Sequence, residues 1–585
     1  MFRSKPFLAL VGLLVILSML LVSCGPAPTP TPVPTATKPP APAAPTATPK
    51  PAEPTKPPEP TKPPLAEKQS LTTNKGSEPD TIDPQKASFV GEIATIMRVF
   101  ENLLTFDSKG NLVPAAAEKY TISPDGKVYT FTLRKGLKYS DGQPLTAKNF
   151  EYGWKRHLDP AVAGDYAFTG YEIVGAEEYN TADPTKLSKD ELQKLRDAVG
   201  VKAKDDLTLE ITLKNPACYF LSVLATWCGV PSRQDMVEKG GEKWTEPATY
   251  IGNGPFVLKT WEHQVKMVYA ANPNYRLGAP TIQQWTELMI SDTTVAFTAY
   301  RNNELDVVGV GAGELPVVQA DAQLSKEYVR QPGTCTFYLG FNTNIKPMDN
   351  MKVRQAIAQA IDRETFVKNV QKGLGIAAYQ FLPPGFPGYY ADLQVWKLDA
   401  AAAKKTLADA GFPDGKGLPE IKFTYSSTPT NQARAEFFQQ QLKDNLGITL
   451  KLDPVESKAF SAMVKKMETT PMMFFLGWCQ DYPDPQNWYT TVYLSTSTIG
   501  HTGWKNAEFD KLCQQADIYP GCDKAKRDEL YKKAAQFLVT EAPHVNIMHN
   551  VVSQVVKPWI SGYVVTPLDY YFSSTTIMDV KILKH

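Results

Sequence analysis

The stretch AAAEKYTISPDGKVYTFTLRKGLKYSDGQPLTAKNFEY, residues 115–152, sets the reading of the chain. Tyr129, Phe131 and Leu133 alternate with Thr130 and Thr132, the period of a strand with one buried face. Gly136 and Asp141-Gly142 punctuate the residues after that strand. The same alternation recurs at Leu207, Leu209, Ile211 and Leu213. Further on the period changes. Val353, Ile357 and Ile361 fall at helical spacing behind Asp349 and Asn350, an amphipathic helix with an N-cap. Ala433, Phe437, Phe438 and Leu442 predict a second helical face stopped by Gly447. Ile448, Leu450 and Leu452 then alternate as a strand. Leu530, Ala534, Phe537 and Leu538 predict a third face, closed by Pro543. Helices alternating with strands indicate α/β organisation, with most of these apolar positions in the core.

Composition narrows the class. The chain has 585 residues, 62 Lys+Arg against 61 Asp+Glu, and a net charge of +1. Domains of roughly 100–200 residues imply two to four of them. The balanced charge argues against a nucleic-acid binder. With one long apolar run the chain is no polytopic membrane protein. At 43% hydrophobic and 21% charged it is not globally disordered. No internal repeat and no second linker is evident, so domains beyond residue 69 are closely joined.

The first 68 residues read as an address and a tether. Arg3 and Lys5 precede an apolar run from Phe7 to Val22, the pattern of an export signal. The run ends in Leu21-Val22-Ser23-Cys24-Gly25, which resembles a bacterial lipoprotein signal. That resemblance implies cleavage after residue 23 and lipid modification of Cys24. Residues 26–64 hold 17 prolines and no aromatic residue. Such a segment favours extended polyproline geometry and reaches up to roughly 100 Å. Residues 24–68 are therefore expected to be a lipid-anchored, disordered Pro/Thr-rich linker.

Six cysteines follow Cys24: Cys218, Cys228, Cys335, Cys479, Cys513 and Cys522. An even count in an exported chain predicts disulfides, and spacing alone does not choose among the connectivities. Cys218 with Cys228 and Cys513 with Cys522 are sequence neighbours, a pairing that leaves Cys335 with Cys479. No C-x-x-C occurs and no histidine stands at ligand spacing, so no metal site and no cofactor are expected. The G-x-S-x-G, H-E-x-x-H and G-x-x-x-x-G-K-[ST] motifs are missing. A carboxylate-pair hydrolase leaves no short signature, and a secreted enzyme of that kind is the rival from a different class.

Five collinear blocks then carry a resemblance. They are NKGSEPDTIDPQ (74–85), the 115–152 stretch, IGNGPFVLKTW (251–261), FNTNIKPMDNMKVRQAIAQAID (341–362) and GWCQDYPDP (477–485). Together they resemble the family 5 solute-binding proteins of bacterial ABC importers, the oligopeptide and dipeptide receptors. The resemblance implies an α/β, two-lobed periplasmic-binding-protein-like (type II) fold with an additional subdomain and a ligand cleft between the lobes. It places lobe I at 69–100, 235–334 and 549–585, the extra subdomain at 101–234, and lobe II at 335–548. It supports a Cys335–Cys479 bridge, worth roughly 4–5 kcal/mol in the chain-entropy account. It implies no catalysis, a monomer, permease subunits as partners, and a location on the outer face of the cytoplasmic membrane.

The same resemblance names site residues. A receptor for any peptide must pair with the parts common to all peptides: the ammonium, the carboxylate and the backbone ladder. Asp481 stands where the family receives the ligand's N-terminus, a role in which its loss costs about 2–5 kcal/mol of binding. Gly477, Trp478 and Cys479 stand in the segment that pairs with the peptide backbone, and Trp478 is placed to wall a side-chain pocket. Val90 and Tyr166 fall, by register from Phe100-Glu101 and Asp159-Pro160, at two further contact positions. There is one departure. Phe475 occupies a position where some oligopeptide receptors carry a basic residue for the ligand's carboxylate, and Lys466 is a candidate substitute. Since relatives also bind oligosaccharides, an oligosaccharide receptor is the alternative within the family.

Overall fold

The alternating run of the opening stretch forms the strand Val128–Leu133, with Tyr129, Phe131 and Leu133 buried. It sits in a four-stranded antiparallel sheet between Ala117–Ile122 and Thr208–Thr212, the latter bordered by Val201–Ala203. The computed structural model describes residues 64–393, 396–497, 499–565 and 576–585. The expected export signal, the expected lipidation site Cys24 and the expected tether through residue 63 lie outside the described residues. The expected linker range of 24–68 runs into the described residues. Leu65 bridges Leu583, and the Ala66 N–H donates to the Ile582 carbonyl at 2.9 Å, so the last residues of that range belong to the body.

A larger sheet of eleven strands organises that body. In chain order its strands are β1 (Ser70–Asn74), β2 (Phe256–Glu262), β3 (Lys266–Ala271), β4 (Gln284–Leu288), β5 (Val307–Gly309), β6 (Tyr328–Phe341), β7 (Ile376–Ala377), β8 (Ile421–Ser426), β9 (Leu450–Val455), β10 (Met473–Cys479) and β11 (His544–Val556). Their spatial order is β9-β8-β10-β6-β11-β5-β1-β4-β3-β2, with β7 beside β11. The two long strands β6 and β11 pair antiparallel. Their register breaks between Pro332 and Thr336. On one side of the break Tyr328–Pro332 faces Val551–Val555; on the other Thr336–Gly340 faces His544–His549. Strands β10, β8 and β9 extend one end and β5, β1, β4, β3 and β2 the other. The result is a two-lobed α/β structure whose halves share a crossing pair of strands.

Helix ends follow local chemistry. The Asn350 side chain accepts the Lys352 N–H at 3.0 Å and starts the helix Met351–Ala360. Thr428 caps the helix Pro429–Leu446, and Gly447, with φ of +72°, ends it. The buried stripe of that helix is Ala435, Phe438, Leu442 and Leu446. The expected stripe began at Ala433, which is exposed, because the tighter i, i+3, i+7, i+11 series is the one that meets Phe366 and Phe423.

Two expected disulfides require correction. Cys335 pairs with Cys479, directly opposite each other on β6 and β10. Cys218, however, pairs with Cys522 rather than Cys228, across 304 residues. Cys228 and Cys513 are free and buried. Cys228 lies in the core beside Trp227, and Cys513 points inward from the helix Ala507–Asp517. Cys218 precedes the short helix Phe220–Val223 and Cys522 ends the turn Pro520–Cys522, and the fold sets their Cα atoms 5.6 Å apart. Closeness along the chain gave no closeness in space.

Candidate functional site

Strand β10 has two unequal edges. One edge pairs with β6 along its whole length, from Phe341↔Met473 to Cys335↔Cys479. The other edge meets β8 only at Met473 and Phe474. Beyond that point no strand among the described residues covers Leu476–Cys479. An uncovered edge is a row of backbone donors and acceptors ready to pair with an extended chain.

A cavity opens along that edge, with about 650 Å³ of empty space, part of it open to solvent. One wall carries Leu476, Gly477, Trp478, Cys479 and Asp481, together with Tyr338 and Lys465. The facing wall carries Ser88, Phe89, Val90, Ile93, Asp165 and Tyr166. All six ligand positions expected from the sequence, Val90, Tyr166, Gly477, Trp478, Cys479 and Asp481, thus line one cavity. They come from segments nearly 400 residues apart in the chain.

Asp481 is the electrostatic centre. Its carboxyl is buried, and burial pushes it up from 3.8 to about 7, against the hydrogen bonds of Asn487 and Tyr166. The Asn487 amide donates to Oδ2 at 2.9 Å, and the Asn487 Oδ1 accepts the Asp481 N–H at 2.9 Å. The Tyr166 hydroxyl points at the same Oδ2 from the opposite wall, at 3.4 Å. No ion pair among the described residues involves Asp481. A buried carboxylate without a cation is costly.

Asn487 is a positioning residue that the sequence reading missed. Asp484 starts its turn by accepting the Gln486 N–H, and Arg527 clamps Asp484 with two bonds of 2.8 and 3.0 Å. The D-x-x-D-P-x-N spacing of residues 481–487 is the signal that could have revealed it. Tyr166 is set by the turn Ala167–Gly170 and by Trp227, whose ring centre lies 4.9 Å away. Val90 begins the helix Val90–Val99, and the Ser88 and Phe89 N–H groups just before it donate to the Glu92 carboxylate. The Trp478 indole N–H is buried without a partner.

Lys465, not Lys466, faces the cavity; Lys466 is exposed. The Lys465 ammonium stands 3.6 Å from Asp80, 3.6 Å from Glu92 and 3.7 Å from Asp165, the last on the facing wall. Burial raises the Glu92 carboxyl, and Lys465 opposes that shift. Phe475 lies on the other face of β10, buried in a core with Phe423 and Phe438.

Comparison with known proteins agrees with this architecture. The family described as bacterial extracellular solute-binding proteins, family 5 Middle, matches residues 111–499. The periplasmic oligopeptide-binding protein OppA of Salmonella typhimurium is 34% identical over 89% of this chain and 94% of its own. The probable deoxycholate-binding periplasmic protein YgiS of Escherichia coli is 32% identical over 87% of this chain and 93% of its own. Among solved structures, the murein tripeptide binding protein MppA of Escherichia coli superposes with a TM-score of 0.81, at 29% identity, over 89% of this chain and all of that one. The unliganded open form of MppA gives 0.63, at 29% identity, over 90% of this chain and 99% of that one. Haemophilus influenzae OppA in complex with RPPGFSPFR gives 0.80, at 27% identity, over 89% of this chain and all of that one. Members of this family are binding proteins rather than enzymes, and the fold is the periplasmic-binding-protein-like one. The match over most of the chain, the two-lobed sheet and the cavity between its walls together show that this chain belongs to the family 5 extracellular solute-binding proteins.

Proposed function

We propose that the chain is an extracytoplasmic receptor that captures oligopeptides between its lobes and hands them to the permease of an ABC importer. One observation carries this reading. A buried carboxylate with no internal cation, Asp481, stands at the end of a strand edge, Leu476–Cys479, that no other strand among the described residues covers. A peptide supplies what both lack. Its ammonium meets Asp481, and its backbone pairs with the open edge by strand addition. The name of YgiS indicates that the family takes other ligands too. An anion such as deoxycholate, or an oligosaccharide with only hydroxyls, leaves Asp481 uncompensated.

In this reading residues 69–100, 235–334 and 549–585 form lobe I, 101–234 its extra subdomain and 335–548 lobe II. The register break between Pro332 and Thr336 supports a hinge where β6 and β11 cross. The better superposition with one MppA structure than with its open form supports a closed conformation. Closure is then a hinge motion, which the ligand favours by its differential affinity for the closed state. Cys24 carries the lipid, and the proline-rich segment holds a monomeric body off the outer face of the cytoplasmic membrane.

Mass spectrometry of whatever co-purifies with the exported chain tests the reading, first under native conditions and then after denaturation. A set of short peptides released only on denaturation is the expected result. Released glycans, or a chain indifferent to peptide libraries yet thermally stabilised by oligosaccharides, would refute the Asp481–ammonium assignment and leave the family intact.

A further inference from the structure

The two disulfides among the described residues differ in what they join. Cys335–Cys479 ties the neighbouring strands β6 and β10, so both of its ends belong to one sheet. Cys218–Cys522 joins residues 304 apart. Cys218 lies between the strand Thr208–Thr212 and the helix Phe220–Val223; Cys522 lies between the helices Ala507–Asp517 and Lys524–Glu541. In the division proposed above, Cys218 falls in the extra subdomain of lobe I and Cys522 in lobe II. The chain passes between the lobes twice in that division, on β6 and on β11. The Cys218–Cys522 bond is a third covalent connection, and it lies on neither crossing strand.

Non-covalent contacts continue this seam inward. Tyr219, next to Cys218, stacks on Tyr482, next to Asp481. The ring centres are 6.3 Å apart, the planes lie 9° from parallel, and both residues are buried. Tyr166, also in the subdomain, reaches the Asp481 carboxylate. A line of contacts thus runs from the bridge to the carboxylate in the cavity.

Geometry limits what the bond permits. Its Cα atoms stand 5.6 Å apart, and a disulfide spans about 7 Å at most. The subdomain and lobe II can therefore part at this point by only about 1.5 Å. Opening about the β6–β11 crossing is reduced to a pivot around the line from that crossing to the bridge. Exposure separates the two bonds as well. Cys522 is exposed and Cys218 half-buried, whereas Cys335 is buried. A disulfide breaks by attack of a thiolate on one sulfur, so access decides which bond is cut first.

We propose that Cys218–Cys522 is a redox latch on the cleft: oxidised, it restrains the lobes near the closed arrangement; reduced by an extracytoplasmic dithiol, it lets them swing apart and exchange ligand. This rests on the lobe division and hinge closure proposed above. One thiolate of the dithiol attacks the exposed Cys522 sulfur, forms a mixed disulfide and releases the Cys218 thiolate, which takes up a proton. The second thiolate of the reductant then attacks its own sulfur in the mixed disulfide and releases Cys522, which takes up the other proton. The protein gains two electrons and two protons, and the reductant leaves as its internal disulfide.

The test uses the exported chain, stripped of co-purified ligand, in three forms: untreated, treated while folded with dithiothreitol, and the double variant Cys218→Ser, Cys522→Ser. Alkylation and peptide mapping of the treated form should find Cys218 and Cys522 capped and Cys335–Cys479 intact. Solution scattering should show the empty untreated chain smaller than the other two. Peptide release, followed by stopped-flow displacement, should be about tenfold faster or more once the bond is gone. If the double variant fails to fold, the treated wild type carries the comparison. Equal size and equal release with and without the bond would overturn the proposal. Recovery of Cys218 and Cys522 as free thiols from the untreated chain would also overturn it, as would reduction of Cys335–Cys479 before them. If no peptide binds in any form while size still changes with the bond, the oligopeptide reading fails and the latch stands.

Discussion

Replacing Asp481 with asparagine removes one charge and almost no volume. The buried carboxyl stands at about 7 instead of 3.8 because burial penalises its charge more than Asn487 and Tyr166 favour it. That difference corresponds to about 4 kcal/mol for holding the charge in the cavity without a cation. In an open receptor the same carboxylate is hydrated, so the cost falls on closure. A peptide ammonium removes it, which makes closure depend on ligand. Asp481→Asn should therefore act with opposite signs. The empty protein gains closure by up to about 4 kcal/mol, roughly a thousand-fold in the open–closed equilibrium. Binding of a peptide with a free N-terminus loses about 2–5 kcal/mol, or roughly 30- to several thousand-fold. Solution scattering and thermal unfolding of the stripped protein should show the Asp481→Asn variant more compact and more stable than wild type when empty. Calorimetry should show it weak for free peptides and unimpaired for N-acetylated ones. If the variant instead unfolds more easily and binds free peptides like wild type, Asp481 only shapes the turn before Tyr482-Pro483 and the argument fails.

Three further outcomes rest on the same geometry. The Asp481 carboxyl is raised on folding, so its cost to the empty closed state is absent below about pH 4, grows as pH rises and is complete above about 7. Peptide binding to the empty closed form must expel a proton below about 7, so the affinity of that form should fall by up to about tenfold per pH unit there; a pH-independent affinity in the Asp481→Asn variant alone would support this assignment. Lys465→Met removes an ammonium that meets Asp80, Glu92 and Asp165 together, and should speed peptide release several-fold with little change in association, as stopped-flow displacement would report. Peptide mapping without reduction should yield Cys218–Cys522 and Cys335–Cys479, with Cys228 and Cys513 unreactive to thiol reagents until the chain is unfolded, because both are buried and burial pushes their thiols up. Recovery of a Cys513–Cys522 bridge would contradict the packing of the Ala507–Asp517 helix.

Much of this molecule was legible along the chain. Period-two runs at Tyr129–Leu133 and around Leu209 became strands, and helices began or ended where Asn350, Gly447 and Pro543 said they should. These are local effects, set by backbone preference and one buried face, and they need no knowledge of distant residues. The blocks at 115–152 and 477–485 likewise identified the family, because each is a short turn-and-strand segment whose residues act together. The second block named Asp481, Gly477, Trp478 and Cys479, register from Phe100-Glu101 and Asp159-Pro160 named Val90 and Tyr166, and all six meet in one cavity.

Other features belong to the tertiary structure alone. The partner of Cys218 is 304 residues away, and only the tertiary fold brings its turn to that of Cys522. Lys465 rather than Lys466 faces the cavity, because one residue of rotation past the helix Ser457–Val464 decides which side chain points inward. Nothing in the sequence marks Asp481 as a buried carboxylate without a cation. Being unpaired is a property of what surrounds a group in space. Local periodicity fixes which face of an element is apolar; charge compensation, burial and the open edge of β10 depend on which elements the fold sets against each other.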